Sequence, residues 1–178
     1  DSCMTHPPPW VQGRAALLYR GIGRKMVLGL KHGDRQEIAR PAGLWMARAV
    51  AATLPDDTLI APIPLHWLRL VKRRYNQSAL LAKAVARETG QPWCPDLLQR
   101  IRRTKPLEGK TRAERFAMLD GAILVHPKRI DRLQGRSVLL VDDVMTSGAT
   151  LSSAAKACID AGAGSIRVVT LARVAKDT

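Results

Sequence analysis

The sequence predicts an α/β fold, a twisted and mostly parallel sheet flanked by helices, and three observations carry that expectation. Residues 138–141 form an unbroken Val/Leu run that leads into Asp142 and Asp143, the pattern of a parallel strand buried on both faces. Residues 58–63 and 166–172 are two more short apolar runs. Between the runs lie segments whose apolar residues recur at helical spacing, and strands alternating with helices build parallel sheets through right-handed crossovers.

His6 and the three prolines after it make a stiff, extended lead-in. Residues 14–30 carry Leu17, Leu18 and Tyr19, then Met26, Val27, Leu28 and Leu30, interrupted by Gly21, Gly23 and Gly29. They read as a short strand or helix, a turn, and a helix ending near residues 31–33. Ile38, Ala42, Trp45 and Ala49 predict an amphipathic helix over residues 36–52, with Pro41 tolerable only in its first turn. Pro55, Asp56 and Asp57 make a turn before the strand at 58–63. Residues 65–75 read as an intensely basic loop, and 76–88 as a helix with Leu81, Ala84 and Val85 inward and Gly90 as its stop. A strand is expected at 97–102, then a mobile, charged loop broken by Pro106 and Gly109 that runs into a short helix, then a strand at 117–125 and a polar connection at 126–135. After the 138–141 strand, Leu151, Ala154, Ala155, Cys158 and Ile159 form a core-facing helical stripe ended by Gly162, before a last strand at 166–172.

The chemistry concentrates where Asp142 and Asp143 run into Thr146, Ser147, Gly148, Ala149 and Thr150. Carboxylates at the carboxyl end of a parallel strand stand where open α/β sheets bind ligands. A small-residue loop opening a helix offers backbone N–H groups and hydroxyls to a phosphate. Acids beside a phosphate cradle suit a sugar phosphate, with the acids on ribose hydroxyls and the loop on the 5′-phosphate. A helix N-cap at Thr146 or Ser147 is compatible with the same use.

The segment 137–150, SVLLVDDVMTSGAT, resembles the PRPP-binding signature of type I phosphoribosyltransferases. Other segments resemble the ComF/GntX branch of that superfamily: Tyr19-Arg20-Gly21 with Leu30-Lys31-His32-Gly33, Pro62-Ile63-Pro64-Leu65 with Arg73-Arg74-Tyr75-Asn76-Gln77-Ser78, and Arg102-Arg103-Thr104-Lys105-Pro106-Leu107 with Gly109 and Arg115. Arg74, Leu107 and Met118 depart from the branch, which usually has Gly, Gln and Asn there. The resemblance implies a type I phosphoribosyltransferase-like sheet with a small hood. It implies PRPP contacts from Asp142, Asp143, Val144, Met145, Thr146, Ser147, Gly148, Ala149 and Thr150, and from Arg73, Arg74 and Asn76 in a pyrophosphate loop. Asp142, Asp143, Lys105 and Arg115 are the expected catalytic residues, with Lys105 and Arg115 in a flexible hood loop that closes over PRPP. His66 and Lys31 are each open between a phosphate or second-substrate contact and a purely structural role. Mg²⁺ is expected to accompany PRPP.

Cys3 resembles the last ligand of a zinc ribbon that often precedes this domain. Residues 1–13 are therefore expected to be a ribbon-and-linker remnant, residues 14–178 the transferase-like domain, and Zn²⁺ a ligand only of a longer chain. Cys94 and Cys158 are expected to be packed. The chain holds 29 Lys and Arg against 15 Asp and Glu, a net charge of +14. That excess predicts polyanionic partners: PRPP, a nucleoside monophosphate, or single-stranded DNA. Few aromatics interleave with the cations, which argues against a base-stacking platform. No apolar run approaches the roughly 20 residues of a membrane span, and no start resembles a signal peptide, so the expected compartment is the cytoplasm. The superfamily resemblance also implies a homodimer. Two functions follow as expectations: transfer of a phosphoribosyl group to a nitrogen acceptor, or a noncatalytic ComF-type role in DNA uptake or nucleic-acid handling that keeps the PRPP site.

Overall fold

The computed structural model describes residues 7–32, 35–66, 68, 70–71, 74–102 and 109–175. Four strands form one parallel sheet: β1 (Gln12–Leu18), β2 (Leu59–Pro62), β5 (Ser137–Met145) and β6 (Ser165–Arg173), in the order β1-β6-β5-β2. Trp93 adds a single parallel bridge to Ile60 on the outer side of β2. A separate antiparallel pair joins β3 (Leu98–Arg100) to β4 (Ile123–Val125).

The helices α1 (Gly21–His32), α2 (Ala39–Val50) and α3 (Gln77–Thr89) supply one core, packed on Ile60, Leu139, Val141, Val169 and Leu171 of the sheet. On the opposite face, α6 (Ala149–Asp160) presents Leu151, Ala154, Ala155 and Cys158 to Val138, Leu140, Ile166 and Val168. Strand residues therefore alternate between two cores, which is why β5 is apolar from Val138 to Val141. Burying each such Leu or Val contributes about 1.5–3 kcal/mol. At Gly43 of α2 a Cβ would stand 2.3 Å from the Ala84 Cβ, so glycine lets α2 and α3 meet at that point.

The expected fold class is the observed one, with local corrections. The strand expected at 117–125 is instead α4 (Arg112–Leu119), a turn, and β4. Thr111 and Glu114 form a reciprocal capping box that starts this helix, and Leu119 closes its buried end. In the basic 65–75 segment Leu68, Leu70 and Val71 are helical rather than loop. The connection at 126–135 contains a 3-10 turn and the short α5 (Ile130–Leu133). Trp45 is 38% exposed, because the buried face of α2 is Ala39, Ala42, Gly43, Met46, Ala47 and Val50. Ile159 is 46% exposed and so falls off the α6 stripe. Cys94 and Cys158 are both buried. No described helix is long and apolar enough to cross a membrane.

Candidate functional site

The twin acids stand where β2 leaves the sheet. The pairing of β2 with β5 ends at Pro62 and Val141, and the Ile63 N–H closes it by donating to the Val141 carbonyl at 2.9 Å. Pairing of β5 with β6 continues to Met145 and Arg173. The strand thus runs past the acids rather than ending at them. Asp142 and Asp143 are held on rigid, paired backbone with one side of β5 uncovered by a neighbouring strand.

The start of α3 organises their side chains. Asn76 caps this helix: its Oδ1 accepts from the Ser78 N–H at 3.0 Å, and its Nδ2 donates to the Ile63 carbonyl at 3.0 Å. That cap directs the next two residues at the acids. Asp142 Oδ1 accepts from Ser78 Oγ and from the Asp143 N–H, each at 2.9 Å. Asp143 Oδ2 accepts from Gln77 Nε2 at 3.1 Å and pairs with Lys31 Nζ at 3.2 Å. Among the described residues, each acid has one oxygen bound into the protein and one with no protein donor: Asp142 Oδ2 and Asp143 Oδ1. Burial, and then the neighbouring Asp143 carboxylate, push the Asp142 carboxyl up to about 7, against the opposing influence of Lys31, Ser78 and the Asp143 N–H.

The loop after β5 has the form of an anion cradle. Gly148 takes φ 78° as the N-cap of α6 and offers no side chain to it, a conformation glycine adopts freely. Among the described residues the Ala149 N–H meets only Ser147 Oγ, at 3.4 Å. The helix start therefore presents amide donors and the positive end of its dipole. Arg115 of α4 bends over the loop: Nη1 donates to Thr146 Oγ1 at 3.3 Å, and Nε donates to the Lys110 carbonyl at 3.0 Å. A hollow of about 1010 Å³ opens here, lined by Met145 and the 146–149 loop, by Trp10, and by the cations Arg14, Lys110, Arg115, Lys156 and Arg173. Neither aspartate lines it.

Of the expected site residues, the structure brings Asp142, Asp143 and Arg115 together with the 146–150 loop. Thr150 lies in the first turn of α6, and Val144 packs into the core beneath the site. Arg74 is exposed and takes φ 63°. The position thus adopts the left-handed backbone that glycine would favour, although its residue is Arg. His66 is buried, and its Nδ1 accepts from the Leu68 N–H at 3.3 Å. Arg73, Lys105, Leu107 and Cys3 lie outside the described residues. Lys31, whose role the sequence leaves open, and two residues outside the expected site, Gln77 and Ser78, touch the acids directly. Gln77 and Ser78 follow the N-cap Asn76 in a motif visible in the sequence, and their position just inside a helix start was the available signal. Among the described residues no group of three or more His, Cys, Asp and Glu is placed to hold a metal ion.

The comparisons with known proteins bear on the family and the fold. The family model for the phosphoribosyl transferase domain matches residues 42–178. The chain is 30% identical to the DNA utilization protein YhgH of Salmonella typhi, over 96% of this chain and 76% of that protein. It is 32% identical to competence protein F of Haemophilus influenzae, over 64% of this chain and 49% of that protein. The solved glutamine PRPP amidotransferase of Bacillus subtilis superposes with a TM-score of 0.53 at 16% identity, over 82% of this chain and 30% of that one, a likeness of fold. A parallel sheet with paired acids and an amide-rich loop at one strand end, a matching domain model and similarity to YhgH over 96% of this chain together establish that the chain belongs to the ComF family of the type I phosphoribosyltransferase superfamily.

Proposed function

We propose that this protein binds PRPP and transfers its phosphoribosyl group to a nitrogen acceptor, with release of pyrophosphate. One observation carries the reading: two adjacent carboxylates, each with one oxygen fixed by the fold and one available, beside a loop suited to phosphate. The available oxygens suit the two neighbouring hydroxyls of a ribose, and the 146–150 loop with Arg115 suits its 5′-phosphate. In the reaction the acceptor nitrogen bonds to the anomeric carbon as the bond to pyrophosphate breaks. The electron pair leaves with pyrophosphate, and the nitrogen loses a proton. Positive charge develops on the ring, and fixed carboxylates stabilise it. Arg73, Arg74 and Lys105 are the proposed pyrophosphate donors. Mg²⁺ would travel with the pyrophosphate oxygens and neutralise their charge. The test is pyrophosphate release from PRPP–Mg²⁺ in the presence of ammonia or each common nucleobase. Release that depends on one acceptor and is lost in Asp143→Asn supports transfer, and no release with any of them excludes catalysis on these acceptors.

A second reading, a noncatalytic role in DNA uptake or nucleic-acid handling, is favoured by the net charge of +14 and by the five cations lining the hollow. The names of the YhgH and competence relatives point the same way. It predicts binding to single-stranded DNA that weakens steeply with salt. Equal affinity in low and high salt would remove its support.

A further inference from the structure

We propose that Lys31 is a positioning residue of this site: from α1 it holds the Asp143 carboxylate in place and balances the charge of the acid pair. The inference rests on the reading of the acids as a ribose grip. It concerns a residue that lies before the segment matched by the domain model, residues 42–178.

Lys31 stands in the last turn of α1, and its Nζ takes the same oxygen of Asp143, Oδ2, that Gln77 Nε2 takes. Two donors on one oxygen set the rotation of the carboxylate and leave Oδ1 for a ligand. The pair is shielded, with the Lys31 side chain 21% exposed and that of Asp143 4% exposed. Its field is therefore screened less than that of a surface ion pair. The end of α1 is also anchored, because Tyr75 Oη donates to the Leu30 carbonyl at 2.6 Å. Gln77 is buried, and its Oε1 finds no partner among the described residues. Without Lys31, the amide of Gln77 would be the only side chain left to orient Asp143.

The groups that face Asp142 come from three elements: Asp143 on β5, Lys31 on α1 and Ser78 on α3. Asp143 raises the proton affinity of Asp142, whereas Lys31 lowers it, as do the hydrogen bonds from Ser78 and the Asp143 N–H. Removal of Lys31 leaves the repulsion from Asp143 opposed only by the hydrogen bonds from Ser78 and the Asp143 N–H. The pH above which Asp142 is a carboxylate, the form whose free Oδ2 accepts a ribose hydroxyl, then moves upward. A lysine that merely favoured the C-terminal dipole of α1 would have no such effect.

The test is the affinity for ribose 5-phosphate by calorimetry between about pH 5 and 9, in wild type, Lys31→Met and Lys31→Arg, with the Asp142 titration followed by carboxylate NMR in the ligand-free proteins. We expect a wild-type midpoint near the value of about 7, raised by roughly one pH unit in Lys31→Met, with affinity at neutral pH down about fivefold. Lys31→Arg should restore most of both. Asp143→Asn should move the NMR midpoint of Asp142 downward. An unchanged Asp142 midpoint in Lys31→Met overturns the inference. So does a loss of affinity that is equal at every pH and accompanied by a lower melting temperature. If ribose 5-phosphate does not bind wild type, the ribose reading falls, and the NMR midpoint still decides the role of Lys31.

Discussion

At Asp142, stability and binding oppose one another. Its carboxyl is raised from 3.8 to about 7 in the folded protein, so the folded state holds a proton that the unfolded chain releases. The stability linked to that proton is fully present below about pH 4 and is lost as the pH rises through about 7. Asp142→Asn keeps the acceptor for Ser78 but cannot ionise. It should therefore melt like wild type near pH 4 and gain about 1–2 kcal/mol at pH 8, the full linkage being discounted for the water that reaches a half-buried group. Chemical denaturation at the two pH values measures this, and a mutant less stable than wild type at pH 8 contradicts it. Arg74 carries a second residue-scale conflict, a left-handed backbone on a side chain with a Cβ. Arg74→Gly should stabilise the fold by about 1 kcal/mol. If Arg74 touches pyrophosphate, the same change weakens PRPP binding and leaves ribose 5-phosphate binding unchanged. Neither conflict was readable as an energy in the sequence. The twin acids and the departure from glycine at 74 were visible, but the burial and the φ angle are products of packing.

Among the elements, α4 leads into β4 and reaches the phosphate loop. Its capping box of Thr111 and Glu114 orders the first turn, which carries Arg115 to Thr146. Ser153 of α6 donates to the Leu119 carbonyl at 2.7 Å and ties down its other end. Thr111→Ala should cost about 1 kcal/mol locally, speed amide exchange in the first turn of α4, and weaken ribose 5-phosphate binding roughly threefold to tenfold. Faster exchange with unchanged affinity would remove Arg115 from the phosphate site. The strand expected at 117–125 overlaps the last three residues of this helix, because Ala117, Met118 and Leu119 are a short apolar run that either structure accommodates. The Thr111-x-x-Glu114 spacing was the cue that distinguishes them. By contrast, β5, α6 and α3 were legible, since each combines a clear hydrophobic period with an end signal, such as Gly90 in the left-handed conformation after α3.

Over the whole molecule, the parallel class followed from alternation of runs and helices, but the strand order did not. Edge strand β1 pairs with β6 at the far end of the chain, a nonlocal choice that no local pattern encodes. That pairing brings Trp10 against the phosphate loop, where its Cη2 would lie 3.4 Å from a Cβ at Gly148. The early departure of β2 likewise leaves the acids open on one side. The hydrogen bonds from Gln77 and Ser78, and the Lys31 ion pair, depend on how α1 and α3 meet over β5, and this is why Lys31 stayed undecided in the sequence. The central claim is that Asp142 and Asp143, together with the loop at 146–150, grip a ribose 5-phosphate group. Calorimetric titration of PRPP–Mg²⁺ into wild type and into Asp142→Asn, Asp143→Asn and the double mutant, all at pH 8, tests it most directly. The account predicts saturable binding to wild type, weakened about 10–100-fold in each single mutant by the loss of a hydroxyl–carboxylate hydrogen bond, and further in the double mutant. No binding to wild type, or the same affinity in the folded double mutant, would contradict it.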